Sequence, residues 1–142
     1  MKRTKLNKKG KSDISRCKDR IQKLLTQIVR VRDLGCIFSR YPETGKCSGF
    51  TAADHINSRV KSISYGDTRN VIEVCQRHHI YWKPQNPLEY TQIVKDYVGE
   101  KIWEWLGRIR KDNKTYSFGL WEWQRVELAL IQELKELHLL NF

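Results

Sequence analysis

Apolar residues near the beginning of the chain recur alternately three and four positions apart, which is the spacing of one face of an α-helix. This stripe comprises Ile14, Cys17, Ile21, Leu24, Ile28 and Val31. A capping signal at Ser12 or Asp13 precedes it and Gly35 ends it, so the pattern predicts a helix over residues 12–34. Because Cys17 lies on the stripe, a buried core thiol is favoured there over a metal ligand. The stripe could also pair two copies into a homodimer, but with only about three heptads available, packing on the chain's own core is the simpler prediction.

The helical spacing stops between residues 35 and 83, where short β-prone stretches replace it. Residues 50–56 and 71–74 form two such stretches around a polar loop, and the short run after the second must end at Pro84. We therefore predict the order strand, loop, strand, short helix for residues 35–83.

Helical spacing returns after this central segment. Asn86-Pro87-Leu88-Glu89 is a helix start, with asparagine as the N-cap, proline at the first helical position and glutamate at the third. The predicted helix continues through Ile109 to a polar break at residues 111–114, and a last helix begins near Ser117. The predicted fold class is α+β, with a long N-terminal helix, a central strand–strand–helix unit and two C-terminal helices within residues 86–142.

Length and charge narrow the classes of function. The 142 residues suit one domain, and 27 Lys+Arg against 16 Asp+Glu give a net charge of +11 at pH 7. Residues 1–40 hold 13 basic and 3 acidic side chains, so nearly all of the excess lies at the front of the molecule. This asymmetry favours a polyanionic partner such as DNA over a neutral metabolite.

The first 11 residues carry no acidic side chain, which predicts a flexible basic tail ahead of a single domain at residues 12–142. The cations of the tail are Lys2, Arg3, Lys5, Lys8, Lys9 and Lys11. We expect them to contact DNA phosphates, although such a tail could also serve solubility alone. No apolar run is long enough to cross a membrane and the first residues lack a secretion signal, so we expect an intracellular protein without a membrane partner.

Side chains with catalytic potential are concentrated in the central segment. Asp54-His55 is followed, after the polar loop, by Asn70 and then by His79. In order and spacing, these 26 residues resemble the HNH endonucleases, whose ββα-metal motif carries an Asp-His or His-His pair, a central Asn and a final His or Asn. The resemblance implies a ββα-metal core in which His55 is the general base and Asn70 braces the loop. It also implies that Asp54 and His79 bind one catalytic Mg²⁺ or Mn²⁺ ion.

The flanking residues narrow the resemblance. Arg32-Asp33-Leu34-Gly35-Cys36 precedes the site, and Tyr97-Val98-Gly99-Glu100 with a terminal amphipathic helix follows it. Both flanks are similar to the NinG/Rap recombination nucleases of lambdoid phages. This similarity implies branched or recombination-intermediate DNA as the substrate, and the cytoplasm of a phage-infected bacterium as the setting.

Phosphodiester hydrolysis needs a base that deprotonates water, a cation that neutralises charge on the phosphoryl oxygens, and a frame that holds both. Asp54 and His55 are neighbours in a predicted strand, so their side chains can share one site only where the strand bends or ends. The base must be a neutral imidazole, and with a reference pKa of about 6.5 we expect activity to fall in mild acid. The alternative is that Asp54 caps a turn and His55 is a hydrogen-bonded core residue.

A second metal site is predicted from the cysteines, which in an intracellular chain are more often ligands or core residues than disulfides. Cys75 and His78 are three positions apart on the short helix and share a face. Cys36 and Cys47 could complete a tetrahedral Cys₃His site for a structural zinc ion. The alternative is three unligated thiols, with the central unit held in place by the flanking helices.

Further cations surround the predicted site in the sequence, namely Arg59, Lys61, Arg69, Arg77 and Lys83. They could position a DNA backbone without reading bases, or they could simply be solvated.

Together with the HNH resemblance, these residues predict a metal-dependent DNA endonuclease. A non-catalytic, zinc-stabilised DNA-binding module is the alternative from another class. Among enzymes, a sequence-specific homing or restriction nuclease is the nearest alternative, although the chain shows no base-reading element.

Overall fold

The computed structural model describes residues 11–112, 114 and 116–140, and it confirms the α+β class. Its helices are α1 Asp13–Asp33, α2 Ser62–Tyr65, α3 Lys83–Gln85, α4 Pro87–Val98, α5 Glu100–Lys111 and α6 Leu120–Leu140. The strands are β1 Thr51–His55 and β2 Val71–Cys75, and a π-helical turn, Arg77–Trp82, joins β2 to α3. All cations of the predicted basic tail except Lys11 lie outside the described residues.

Helix α1 agrees with its prediction to within one residue at each end. The Ser12 side chain accepts a hydrogen bond from the backbone N–H of Ser15 at 3.1 Å, and Leu34 ends the helix in the left-handed conformation. Its buried face comprises Cys17, Ile21, Leu25, Ile28, Val29 and Asp33. Cys17 is fully buried in the core, as predicted, and α6 packs along the same helix.

The two strands pair antiparallel, with Thr51 opposite Cys75 and His55 opposite Val71. One face of the pair packs on α1, and the other packs under the π-helical turn and α4. The two strands and the helical turn after them follow in the predicted order, but the loop between the strands contains α2, and Pro84 lies within α3 instead of ending the short helix. Successive residues of β1 face different layers, and this places Asp54 and His55 on opposite sides of the strand.

Helix α1 also satisfies the backbone along the edge of β1 that faces away from β2. The Gln22 amide donates to the Ala53 carbonyl at 3.1 Å, and the Thr26 hydroxyl accepts from the Ala53 N–H at 3.2 Å. One turn further along α1, Arg30 donates to the Thr51 carbonyl at 2.5 Å. Side chains four positions apart on a helix share a face, so this spacing fixes the first strand against the helix.

The prediction of two C-terminal helices was wrong, because the described residues after Asn86 form three. The segment expected to form one helix from Asn86 to Ile109 is divided at Gly99 into α4 and α5. Gly99 has a φ of 87°, a conformation that side-chain-bearing residues rarely adopt, and it caps both helices. None of the described helices is both long and apolar enough to cross a membrane.

Asp33 joins three elements from a position that is 1% exposed. Its carboxylate accepts hydrogen bonds from the Glu73 backbone N–H at 2.9 Å and from the Tyr97 hydroxyl at 2.7 Å. The Arg32 guanidinium donates to both carboxylate oxygens, at 2.7 and 3.0 Å. The carboxylate therefore ties the end of α1 to β2 and α4.

We expect Asp33→Ala to lower the free energy of unfolding by about 3 kcal/mol, because it removes the buried carboxylate that accepts from the Glu73 N–H, the Tyr97 hydroxyl and the Arg32 guanidinium. Urea unfolding followed by circular dichroism measures the change. Asp19→Ala is the matched control, since this exposed carboxylate of α1 pairs with the exposed Lys11, which precedes the helix, and such a surface ion pair contributes little to stability. Equal destabilisation by the two variants would contradict the structural role of Asp33.

Candidate metal centre and adjoining cleft

The four predicted zinc ligands lie together. Cys36 follows α1, Cys47 lies on the loop before β1, Cys75 ends β2 and His78 lies in the π-helical turn. Their donor atoms are all within 4.8 Å of one another. Within the described ranges, no other group of three or more His, Cys, Asp or Glu side chains is arranged in this way.

The distances within this cluster suit a small tetrahedral metal site. His78 Nδ1 lies 3.0 Å from the Sγ of Cys75, 3.7 Å from that of Cys47 and 3.9 Å from that of Cys36. Donor atoms around a tetrahedral zinc ion are separated by about 3.5 to 3.8 Å, as Zn–S and Zn–N bonds of about 2.3 and 2.0 Å require. Three thiols and one imidazole are a zinc-type donor set, so the cluster could hold a metal ion and its chemistry fits Zn²⁺.

The orientation of the His78 ring also fits a ligand. Its Nε2 lies 3.2 Å from the Thr44 carbonyl oxygen, which can only accept, so Nε2 carries the proton and Nδ1 keeps a lone pair facing the three sulfurs. Burial, followed by the charge of Arg77, lowers the pKa of His78, so the imidazole is neutral. A second partner that fixes the tautomer in this way is the usual companion of a metal-bound histidine.

The three thiols differ in acidity. Burial raises the pKa of Cys36 to about 12, and it also raises the pKa of Cys47. At Cys75 burial acts in the same direction, but backbone hydrogen bonds from His78 and Ser48 outweigh it, so its pKa is lowered. Cys75 is therefore the thiol of the cluster that loses its proton most readily.

Arg77 fastens the loop that carries Cys47. Its guanidinium donates to the carbonyl oxygens of Thr44 at 3.0 Å and Lys46 at 2.9 Å. Gly45 lies between them with a φ of 85°, and a Cβ there would lie 2.6 Å from the guanidinium. The contact of Arg77 with DNA stays a prediction, while its contact with the ligand loop is observed.

Asp54 and His79 form a separate pair on the β1 face below α4. His79 Nδ1 lies 3.4 Å from Asp54 Oδ1, while Oδ2 accepts from the Lys83 ammonium at 3.0 Å and from the Tyr90 hydroxyl. Burial acts to raise the pKa of Asp54, but the hydrogen bond to His79, the Lys83 charge and the Tyr90 hydroxyl together lower it to about 2. Asp54 is therefore an anion. One of its oxygens accepts from Lys83 and Tyr90, and the other faces His79.

His55 lies on the opposite face of the strand from Asp54. Its Nε2 lies 2.9 Å from the Tyr65 carbonyl oxygen, so Nε2 carries the proton and Nδ1 is the basic nitrogen. This Nδ1 is buried and has no hydrogen-bond partner among the described residues. Burial is the main cause that lowers the pKa of His55, so the ring is neutral near pH 7.

Asn70 is hydrogen-bonded to two segments of the loop between the strands, while its predicted role in the site stays a prediction. It is fully buried, its Oδ1 accepts from the Asn57 backbone N–H at 2.7 Å, and its Nδ2 donates to the Ser64 carbonyl at 3.0 Å. The same loop supplies the Tyr65 carbonyl that holds His55. Asn70 therefore acts on His55 through the loop and does not contact the imidazole.

A cleft of about 110 Å³ runs beside the Asp54–His79 pair. Its lining includes Phe50, Asp54, Arg59 and His79, together with Gln22 of α1. His55 does not line this cleft. The structure thus brings Asp54 and His79 together and places His55 behind them at the end of the same strand.

The other predicted DNA contacts are mostly engaged within the chain. Lys61 donates to the Asp112 carbonyl at 2.7 Å, and Lys83 is held by Asp54. Arg69 pairs with Asp67 at 2.7 Å and its guanidinium lies 3.7 Å from the centre of the Trp105 ring. Arg59 is exposed on the cleft. Their binding to DNA stays a prediction.

Sequence reasoning missed two residues at the site. Tyr90, 36 positions after Asp54, donates to its carboxylate, and nothing in the local pattern distinguishes it from a core aromatic. Gln22 donates to Ala53 and lines the cleft, while its Oε1 is buried and has no partner among the described residues. A polar residue next to the apolar stripe of α1 was the only signal for Gln22.

Comparison with known proteins found no family model that matches the chain, and no significant match among curated proteins or solved structures. The fold and the cluster define a small α+β protein with a Cys₃His candidate metal site.

Proposed function

We propose that this chain is a metal-dependent DNA endonuclease whose strand–strand–helix unit is held together by zinc and has the ββα-metal architecture of HNH enzymes. The observation that supports this most strongly is the tautomer of His55, which leaves one ring nitrogen free to accept a proton. Its Nε2–H is fixed on Tyr65, so its free Nδ1 is a neutral base at the end of the strand that carries Asp54.

The proposed reaction uses these groups in order. His55 Nδ1 accepts a proton from water, the water oxygen forms a bond to phosphorus, and the bond from phosphorus to the leaving oxygen breaks. Asp54 Oδ1 and His79 Nδ1 are the two donors that would hold a divalent ion, and Mg²⁺ or Mn²⁺ is the class that a carboxylate, an imidazole and water suit. When bound, such an ion supplies positive charge to the phosphoryl oxygens.

The buried position of His55 sets a condition on this proposal. The imidazole reaches the cleft only if substrate binding opens the end of β1, which is followed by the exposed residues 58–60. Catalytic hydrogen bonds are often incomplete in the absence of substrate, so this geometry is compatible with a base. The DNA we propose as substrate is branched or recombination-intermediate DNA inside a bacterial cell infected by a phage.

Plasmid nicking tests the metal-dependent part of the proposal. We expect nicking of supercoiled DNA with Mg²⁺ or Mn²⁺ and none in their absence, and a fall of about 100-fold in rate for His79→Ala because one of two donors is lost. His138→Ala is the matched control, since this exposed histidine lies in the last turn of α6, which does not line the cleft. Equal rates for both variants would contradict a metal-binding role for His79.

One observation favours a second function. The Cys₃His cluster is a more complete metal site than the Asp54–His79 pair, and it could stabilise a protein that binds DNA without cutting it. Such a module would bind the same DNA with equal affinity whether or not His55 is present, and would cut none of it.

A further inference from the structure

Phe50 is an aromatic residue that the fold leaves in solvent. Its side chain is 83% exposed, although the backbone around it is fixed. The Phe50 carbonyl accepts from the Gln76 N–H at 3.0 Å, which extends the strand ladder by one pair. Gly49 precedes it with a φ of 80°, and a Cβ there would lie 2.3 Å from the Gln76 side chain. A well-positioned ring that buries little surface in its own fold is available to a partner.

The ring lies on the same strand face as the Asp54–His79 pair. Phe50 immediately precedes β1 and continues its pairing, so it shares the face of Ala52 and Asp54, and Phe50 and Asp54 both line the cleft. Four residues of strand separate their Cα atoms by about 13 Å. This is the length of about four base-pair steps at 3.4 Å each, so one DNA substrate could contact both. Ala52 between them is small and exposed, so its side chain leaves the cleft open between Phe50 and Asp54.

The charges around the cleft indicate what the partner is. Arg59 is exposed on the cleft wall, Lys83 lies against Asp54, and Arg30 is bonded to the Thr51 carbonyl next to Phe50. Cations beside an exposed aromatic ring are the combination by which proteins bind unpaired nucleotides, since the cations contact the phosphates and the ring stacks on a base.

We propose that Phe50 stacks on an unpaired nucleobase a few nucleotides from the phosphate at the Asp54–His79 pair. It thereby directs this chain to DNA with locally unpaired bases and away from uninterrupted duplex. In a continuous duplex every base is already stacked, so the ring gains a contact only where a base is extruded or mismatched. This inference deepens the proposed function and rests on it for the identity of the adjacent phosphate site.

Binding to duplexes that contain 2-aminopurine tests the inference without cleavage. The full chain is titrated, with no added Mg²⁺ or Mn²⁺, into a duplex with one bulged 2-aminopurine and into the fully paired duplex. For the bulged DNA, we expect quenching of 2-aminopurine fluorescence and a Kd that Phe50→Ala raises about tenfold. For the paired DNA, we expect Phe50→Ala to change the Kd by less than about twofold.

Two further variants separate stacking from a general loss of apolar surface. Phe50→Trp should restore both affinity and quenching, because indole stacks at least as well as a phenyl ring. Trp121→Ala removes another exposed aromatic, 63% exposed on α6, and should behave like wild type. Unchanged binding and quenching in Phe50→Ala would overturn the inference, as would equal losses in Trp121→Ala. Loss of affinity for both DNAs alike would also overturn it.

The outcomes also distinguish this inference from the proposed function. A chain that shows Phe50-dependent quenching but cuts no DNA with Mg²⁺ or Mn²⁺ supports stacking and contradicts the nuclease. A chain that cuts DNA but binds the bulged duplex independently of Phe50 supports the nuclease and contradicts stacking. Absence of any DNA binding would contradict both.

Discussion

A Cys75→Ser variant is expected to carry no zinc and to lose at least about 3 kcal/mol of its free energy of unfolding. Cys75 Sγ lies 3.0 Å from His78 Nδ1 at the centre of the cluster, and its pKa is the one that is lowered. A structural zinc ion binds the folded state and not the unfolded chain, so its loss subtracts directly from stability. The ligands join the end of α1, the loop before β1, the end of β2 and the π-helical turn, so these segments would separate first.

Metal analysis of the purified protein and thermal unfolding measure this effect. We expect about one zinc ion per wild-type chain and a lower melting temperature after treatment with a chelator. Cys17→Ala is the matched control, because Cys17 is a fully buried cysteine of α1 outside the cluster. It should retain the zinc even though it loses some packing energy. Full zinc content in Cys75→Ser would show that the four side chains are not a metal site.

His55→Ala is expected to lower the single-turnover rate of DNA cleavage by about 10³-fold while changing DNA affinity by less than about twofold. The imidazole is neutral, its Nε2–H is fixed on the Tyr65 carbonyl, and its Nδ1 has no partner among the described residues. Removing it takes away the proposed proton acceptor and leaves the cations that we propose contact DNA in place. A general base changes the rate of the chemical step and not the strength of binding.

The measurement uses an end-labelled DNA fragment with protein in excess, so that the rate reports bond cleavage and not product release. His55 is 8% exposed, so circular dichroism must show that the variant is folded. His55→Gln is a second variant that preserves more of the packing and should be equally slow. Cleavage by either variant at the wild-type rate would contradict the role of His55.

Elements that depend on neighbouring residues, through apolar spacing, capping and β-propensity, were predicted correctly from the sequence. The apolar spacing and the cap at Ser12 predict α1, and the β-prone stretches predict both strands. The division at Gly99 was missed because the apolar face continues across it on both sides. A glycine inside a periodic stretch is read as a weak helix position, whereas here its positive φ ends one helix and begins the next.

Only those parts of the candidate site that lie close together in the sequence could be predicted. Cys75 and His78 are only three positions apart, so their proximity follows from the sequence, but the predicted shared helical face was wrong because Cys75 ends β2 and only His78 lies in the π-helical turn. Cys36 and Cys47 join them only through the tertiary fold. The hydrogen bond from Tyr90 to Asp54 spans 36 positions and has no signal in the local pattern. The burial of His55 Nδ1 depends on how α1 and the loop pack over β1, which composition and spacing do not specify.

The decisive test of nuclease activity is cleavage of an end-labelled DNA junction by wild type and His55→Ala. Each protein is assayed with Mn²⁺, with Mg²⁺ and with neither ion, and DNA binding is recorded on the same samples. We expect metal-dependent cutting by wild type and intact but bound DNA with His55→Ala. Binding by both proteins, without cutting under either ion, would contradict the nuclease and identify the chain as a zinc-stabilised DNA-binding module.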